Sequence, residues 1–215
     1  MLNIKLFEVN PLCENCYVVS DETKRAVIID CGCFYPEEWA DIKQYIEDEA
    51  LSIERLINTH LHFDHIMGAH MVYNDFGLMP EANNADANIY NKVAEQFMQV
   101  IGINIKHIDM PPLGKGLRDG DEVHFGTHTL QVIHTPGHTA GGICFYCKEE
   151  GVIFTGDTLF RMSIGRTDLE GGNYHDLIQS INERIKILPP ETIVYPGHGP
   201  STSIKDECKY NPYFV

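Results

Sequence analysis

The stretch Arg55-Leu-Ile-Asn-Thr-His-Leu-His-Phe-Asp-His65, RLINTHLHFDH, decides how this 215-residue chain is read. Arg55 to Thr59 is predicted to be a strand, and directly after it three imidazoles and a carboxylate fall within six residues. His60, His62 and Asp64 alternate, so a locally extended backbone puts them on one side and turns His65 elsewhere. Such a cluster has little reason to form without a metal. Its geometry suits two neighbouring ions, with His60 and His62 on the first and Asp64 and His65 on the second. Neither ion is complete with ligands from one loop.

The same design recurs three times: an apolar strand ends, a turn-forming residue follows, and a side chain able to bind metal comes next. The segments are LQVIHTPGH ending at His138, GVIFTGD ending at Asp157 and TIVYPGH ending at His198. Gly and Pro allow sharp turns there, which lets each ligand point into a cleft beyond the strand ends. His138 can finish the first set and His198 the second, a mixed imidazole and carboxylate coordination typical of zinc and acceptable to iron or manganese. Asp157 has two carboxylate oxygens and is the candidate bridge between ions roughly 3.5–4 Å apart. His70, His107, His124, His128, His134 and His175 lack a comparable cluster and read as ordinary surface or hydrogen-bonded residues.

Outward from these loops, strands are expected at Ile4 to Val9, Cys16 to Ser20, Ala26 to Asp30, Glu122 to Phe125, His128 to His134, Ile143 to Cys147, Val152 to Thr155 and Thr192 to Tyr195. A helix should begin after Pro36, where Trp39, Ile42, Tyr45 and Ile46 recur at three- and four-residue spacing. Further helices are expected over His65 to Phe76, Asp86 to Ile101 and Tyr174 to Ile187, and a short one after Ser203, whose spacing to Asp206 is that of an N-cap. Strands outnumber helices, and each half runs through strands before ending in a helix. Two sheets between outer helices fit that order: an α+β chain, read as one domain over residues 1–215.

Composition excludes several function classes. A formal charge of -15, with 16 Lys and Arg against 31 Asp and Glu, repels nucleic-acid backbones. No stretch reads as a membrane span or a secretion signal, so the expected compartment is the cytoplasm. Seven cysteines, an odd number in such a chain, are expected as reduced thiols.

Taken together, THLHFDH, TPGHTAGG, GDTLF, GRTDL, YPGHGP and the terminal NPYF resemble, in order and approximate spacing, the metallo-β-lactamase-fold superfamily, and most closely its small glyoxalase II-like hydrolases. The resemblance implies an αββα sandwich with two divalent metal ions at one edge. It carries the same allocation: His60, His62 and His138 on one metal, Asp64, His65 and His198 on the other, Asp157 bridging, with Asp64 and Asp157 as the catalytic carboxylates. It further implies hydrolysis of a thioester such as S-lactoylglutathione, the nucleophile being a hydroxide formed because the cations lower the pKa of bound water. Arg166, nine residues after Asp157, stands where glyoxalase II enzymes place a cationic residue that contacts glutathione. It can serve there as a substrate contact or pair with Asp168 to fix its own loop. The helical C-terminal domain that usually supplies further glutathione contacts is not expected in this chain.

Rivals within the same superfamily differ at readable positions. A mononuclear iron persulfide dioxygenase typically has an Ala after the Pro of its last motif, where Tyr195 to Gly199 here reads YPGHG. Many β-lactamases use Cys at the position of Asp157. A flavodiiron reductase would show an acidic residue in place of His62 and carry a flavin domain. Cys13, Cys16, Cys144 and Cys147 form two C-x-x-C spacings, read as buried thiols within strands, and Cys31 and Cys33 could approach the metal cleft. The segment from Gly77 to Ile105 is expected to lay a helix over that cleft, although Val93, Phe97, Val100 and Ile101 could equally form core or a dimer face.

Overall fold

The structure is a computed structural model that describes residues 1–102 and 108–214. The first half runs β1 (Asn3–Val9), β2 (Glu14–Ser20), β3 (Arg25–Ile29), α1 (Pro36–Asp48), β4 (Ser52–Ile57), α2 (Phe63–Ile66), α3 (Ala69–Phe76), β5 (Pro80–Glu81), α4 (Ala87–Tyr90) and α5 (Val93–Ile101). The second runs β6 (Glu122–Phe125), β7 (His128–His134), β8 (Ile143–Cys147), β9 (Val152–Gly156), β10 (Leu159–Phe160), β11 (Ser163–Ile164), α6 (Tyr174–Ser180), β12 (Ile193–Pro196), β13 (Thr202–Ser203) and α7 (Ile204–Tyr210). Of the two large sheets, one has the order β1-β2-β3-β4-β5 and the other β13-β12-β9-β8-β7-β6, while β10 and β11 pair only with each other. The order of layers is αββα, as expected.

Side-chain alternation along the strands builds the layers. On β2, Tyr17 and Val19 point between the sheets and join Val27, Ile29, Phe125, Phe145 and Phe154. The neighbouring Cys16 and Val18 point the other way, where Trp39, Ile42 and Ile46 of α1 and Val72 of α3 cover them. The second sheet repeats the scheme: Cys144, Ile153 and Val194 face Ile185 and Ile204. Burying each such aliphatic or aromatic side chain contributes about 1.5–3 kcal/mol, so three apolar layers fix the stack.

Several expected elements change length for identifiable reasons. The helix over His65 to Phe76 is two helices, because Gly68 N–H donates to Cys31 O at 2.8 Å rather than continuing the helical ladder, and Asp64 O accepts from Asn10 Nδ2 at 2.9 Å. Tertiary partners there outcompete the intrahelical bonds. A Cβ on Gly68 would stand 2.6 Å from Cys31 Sγ, so the tight passage needs glycine. The helix over Asp86 to Ile101 also divides, at Asn91 and Lys92, where Gln96 Nε2 donates to Ile89 O. Tyr174–Ser180 is capped by Asn173, whose side chain accepts from His175 N, and then widens into a π-type turn that ends at Ile185, short of Ile187. Ser203 caps α7 as read, accepting from Asp206 N at 3.1 Å.

Cys13 is corrected: it is exposed in a turn before β2 with φ of 56°, while Cys16, Cys144 and Cys147 are buried as expected. Cys31 and Cys33 do not open to the cleft either, being buried against α1 and α3. His107 and the end of the Gly77 to Ile105 segment lie outside the described residues. Among the described residues no helix is long and apolar enough to cross a membrane.

Candidate metal centre

Strand direction brings the four ligand loops to one edge. β7 and β9 each pair antiparallel with β8, so they run the same way, and β12 is parallel to β9. His138, Asp157 and His198 therefore leave the same end of the second sheet. The first sheet is brought to meet them by the Leu12 to Tyr17 segment. Asn15 N donates to Gly197 O at 2.8 Å, Asn15 Nδ2 to Pro196 O and Gly199 O, and Tyr17 Oη to Pro196 O.

All seven expected residues converge. Donor atoms of His60, His62 and His138 lie within 4.8 Å of one another, and so do those of Asp64, His65 and His198. Asp157 reaches both groups, with Oδ2 3.5 Å from His138 Nε2 and Oδ1 3.4 Å from His65 Nε2. Asp64 Oδ2 is 3.3 Å from His198 Nε2. The expected local geometry is corrected in one respect. Asp64 and His65 sit on the one-turn helix α2, with His62 just before it, so the helical turn rather than strand alternation aims them.

Hydrogen bonds behind the imidazoles set which nitrogen faces the cluster. His138 Nδ1–H donates to Arg166 O at 2.7 Å, His198 Nδ1–H to Leu12 O at 3.1 Å, and His65 Nδ1–H to Asp30 Oδ2 at 3.1 Å. Each turns Nε2 forward, so that in the neutral ring the lone pair faces the cluster. Asp30 also accepts from Thr59 N at 2.7 Å and Thr59 Oγ1 at 2.6 Å, fixing the turn that leads to His60. Asp86 does the same for the opposite loop, taking Gly141 N at 2.6 Å and Thr139 Oγ1 at 2.8 Å. A Cβ on Gly197 would stand 2.4 Å from Asp157 Oδ1 and 2.7 Å from His65 Cε1, so only glycine lets this loop approach.

The donor set fits a cation on two grounds. His60 Nε2, His65 Nε2 and Asp157 Oδ1 are buried without a hydrogen-bond partner, and the donors of these three residues also lie within 4.8 Å of one another. Leaving such groups unpaired costs about 1–3 kcal/mol each, which coordination would offset. Secondly, two of the imidazoles are held in the neutral, ligating form: burial pushes His60 well below its ordinary pKa, and burial with His138 nearby lowers His62 to about 3. His65 behaves oppositely. Burial works against its imidazolium, but Asp157 and Asp64 overcome burial and hold it well above 6.5. Burial likewise favours the neutral acid of Asp157, and His65 overrides it, keeping that carboxylate ionised.

A cavity of about 340 Å³ opens in front of the cluster, with His62, Asp64, His138 and Asp157 at its floor. Phe63, Ile89, Val100 and Leu169 supply apolar wall, and Lys92, Glu95 and Arg166 supply charge. Helix α5 thus borders the cleft, as expected of the Gly77 to Ile105 segment, while its Val93 and Phe97 turn into the core. Of the two roles weighed for Arg166, the structure shows the pairing with Asp168. Its guanidinium forks onto Asp168 at 2.7 and 2.8 Å and also lines the cleft.

Sequence reading did not find Asn15, Asp30, Asp86 or Glu14. Asp30 ends a strand in a left-handed conformation, φ 51°, and no motif marks that. Glu14 is fully buried, with Oε1 3.8 Å from His65 Nδ1 and neither carboxylate oxygen in a hydrogen bond, and burial raises its pKa.

A four-layer sandwich whose strand ends gather five imidazoles and two carboxylates defines a metal-binding hydrolase scaffold, and the chain belongs to the Metallo-beta-lactamase superfamily, whose pattern matches residues 10–198. It is an enzyme of that metal-dependent kind. Hydroxyacylglutathione hydrolase GloC of Haemophilus influenzae is 33% identical over 99% of this chain and 98% of its own length. Among solved structures, the BLEG-1 B3 metallo-beta-lactamase is 33% identical with a TM-score of 0.89, covering 99% of this chain and 100% of its own. TTHA1623, crystallised in a di-iron-bound form, is 33% identical with a TM-score of 0.86, covering 98% and 100%.

Proposed function

We propose that the chain hydrolyses a thioester of the S-lactoylglutathione kind at a centre of two divalent cations, zinc foremost, with iron or manganese also compatible. The observation that carries this reading is the convergence of seven donors in two groups, with three donor atoms buried without a hydrogen-bond partner. His60, His62 and His138 would hold one ion, Asp64, His65 and His198 the other, and Asp157 would lie between them. When bound, two such cations supply water activation at neutral pH and charge to oppose the developing oxyanion.

The chain's own residues do the rest. The Nδ1 bonds from His65, His138 and His198 keep their rings oriented through turnover. Asp64 lines the cleft and can take a proton from the attacking water. Phe63, Ile89, Val100 and Leu169 keep the reacting carbonyl from bulk solvent. Water oxygen joins the acyl carbon, the C–S bond breaks, and the products are a carboxylic acid and a free thiol. A thiolate leaves readily because thiols ionise near about pH 8.5, so no strong acid and no Ser or Cys nucleophile are needed. Arg166 would contact a substrate amide through its planar guanidinium. The name of the Haemophilus relative supports this substrate class.

The test combines metal analysis of protein purified without chelator with three assays on that sample: S-lactoylglutathione, glutathione persulfide with an oxygen electrode, and a chromogenic β-lactam. Two ions per chain and thiol release are expected. One iron with oxygen uptake on persulfide selects the dioxygenase, and β-lactam opening alone selects a lactamase. Asp157→Ala or His60→Ala retaining full metal and activity overturns the metal assignment.

A further inference from the structure

We infer that Asp86 is the positioning residue of the His60, His62 and His138 metal position, tying its two loops together so that replacing Asp86 weakens that position and spares the other; this rests on the two-ion reading. Asp86 stands immediately before α4 and is fully buried. An Asp at a helix start ordinarily accepts from the N–H groups of its own first turn. Asp86 makes no such bond to α4. Its carboxylate turns instead to two other segments. Oδ2 accepts from Leu61 N at 3.4 Å, and Leu61 lies between His60 and His62. The same oxygen accepts from Thr139 Oγ1 at 2.8 Å, next to His138, and Oδ1 accepts from Gly141 N at 2.6 Å.

One buried carboxylate therefore joins the loop after β4 to the loop after β7, which come from opposite halves of the sandwich and carry all three imidazoles of the position. Other contacts behind these rings orient single residues: His138 Nδ1 meets Arg166 O, and His60 Nδ1 meets Thr59 Oγ1. Asp86 sets the spacing between the loops. The approach is close, since a Cβ on Gly141 would stand 2.6 Å from Asp86 Cγ. The second set is supported separately. None of these bonds from Asp86 goes to Asp64, His65 or His198 or to a sequence neighbour of theirs, and His65 and His198 rest on Asp30 and Leu12 O.

Asp86→Asn keeps the size of the side chain and one oxygen for Gly141 N, but it sets an amide N–H₂ against Leu61 N–H, donor facing donor. The His60 and His62 loop is the one released. Gly141→Ala reaches the same contact from the other side by pushing the carboxylate away. The experiment titrates zinc, against a competing chelator, into metal-free parent, Asp86→Asn and Gly141→Ala proteins labelled with nitrogen-15 in histidine, so that each ring reports its own ligation. In both variants His62 and His138 are expected to need about 10–100-fold more free zinc than in the parent, while His65 and His198 stay within about fivefold. Ligation at His65 and His198 also shows that the variants are folded. Both sets weakened alike, or neither weakened, overturns the inference while leaving the two-ion centre standing. A parent protein in which only one set responds to zinc sinks the two-ion reading itself.

Discussion

Replacing Asp30 by Asn tests whether a residue outside the metal-binding set controls metal affinity. Asn keeps the size of the side chain and tolerates the left-handed backbone at φ 51°, so no backbone penalty enters. One oxygen remains to accept from Thr59 N, now at 2.7 Å. The other becomes an amide N–H₂, which cannot accept the His65 Nδ1–H now held at 3.1 Å. When the ring gives up one proton to a cation, it would then keep the other on Nε2, the nitrogen that faces Asp157 and Asp64. A proton there blocks ligation. Loss of an orienting partner of this kind lowers metal affinity about 10–100-fold, or about 1.4–2.7 kcal/mol. Stability should fall by only about 1–3 kcal/mol, the cost of weakened charge-assisted bonds to one buried carboxylate. Asp30→Ala removes every acceptor and should cost more, about 3–5 kcal/mol, a large part of a typical domain's stability. Competition with a chromophoric chelator gives the affinity, urea unfolding the stability, and nitrogen-15 chemical shifts the tautomer. Asp30→Asn protein that binds metal as tightly as the parent, with Nδ1 of His65 still protonated, would refute the argument.

Four further outcomes follow from the geometry. His65 is held above its ordinary 6.5 by Asp157 and Asp64, so a cation must displace a proton there: affinity should rise with pH and binding near pH 7 should release about one proton, read by calorimetry in buffers of different ionisation heat. The same shift gives the chelated protein a stability contribution fully present below pH 6.5 and lost as pH rises through the higher folded value; denaturation midpoints that increase across that range would contradict it. Gly197→Ala forces a methyl to within 2.4 Å of Asp157 Oδ1, and activity should drop at least about 100-fold with stability reduced by about 1–3 kcal/mol; unchanged kinetics would show that the loop yields freely. Ser203→Ala removes the α7 cap and should cost about 1 kcal/mol in urea unfolding without altering kcat/KM, whereas an unshifted midpoint would mean that the cap contributes nothing.

The strands and the ligand loops were legible because each is a local pattern. Val152 to Thr155 followed by Gly156 and Asp157 states strand, turn and ligand within six residues, and His128 to His134 has the bounds the sequence predicts. Tertiary competition was not legible. The break at Met67 and Gly68 depends on Cys31 O and Asn10 Nδ2, which lie in other segments and offer no periodicity to read. The supporting residues escaped for the same reason. Asn15 and Asp30 act on partners up to 184 residues away, so their types alone do not separate them from any polar residue at a strand end. The link made by Asp86 is also a tertiary fact: its partners Leu61 and Thr139 lie 25 and 53 residues from it.

Each group of donors draws on both sheets, since His60 and His62 follow β4 and meet His138, while Asp64 and His65 meet His198. A cation on either group is accordingly a rivet through the seam of the sandwich, closing loops of 76 residues between His62 and His138 and 133 between His65 and His198. Loops of that length lose much freedom when pinned. Metal supply would therefore govern not only turnover but how long a molecule survives proteolysis, and chains starved of metal would be the first to be cleared.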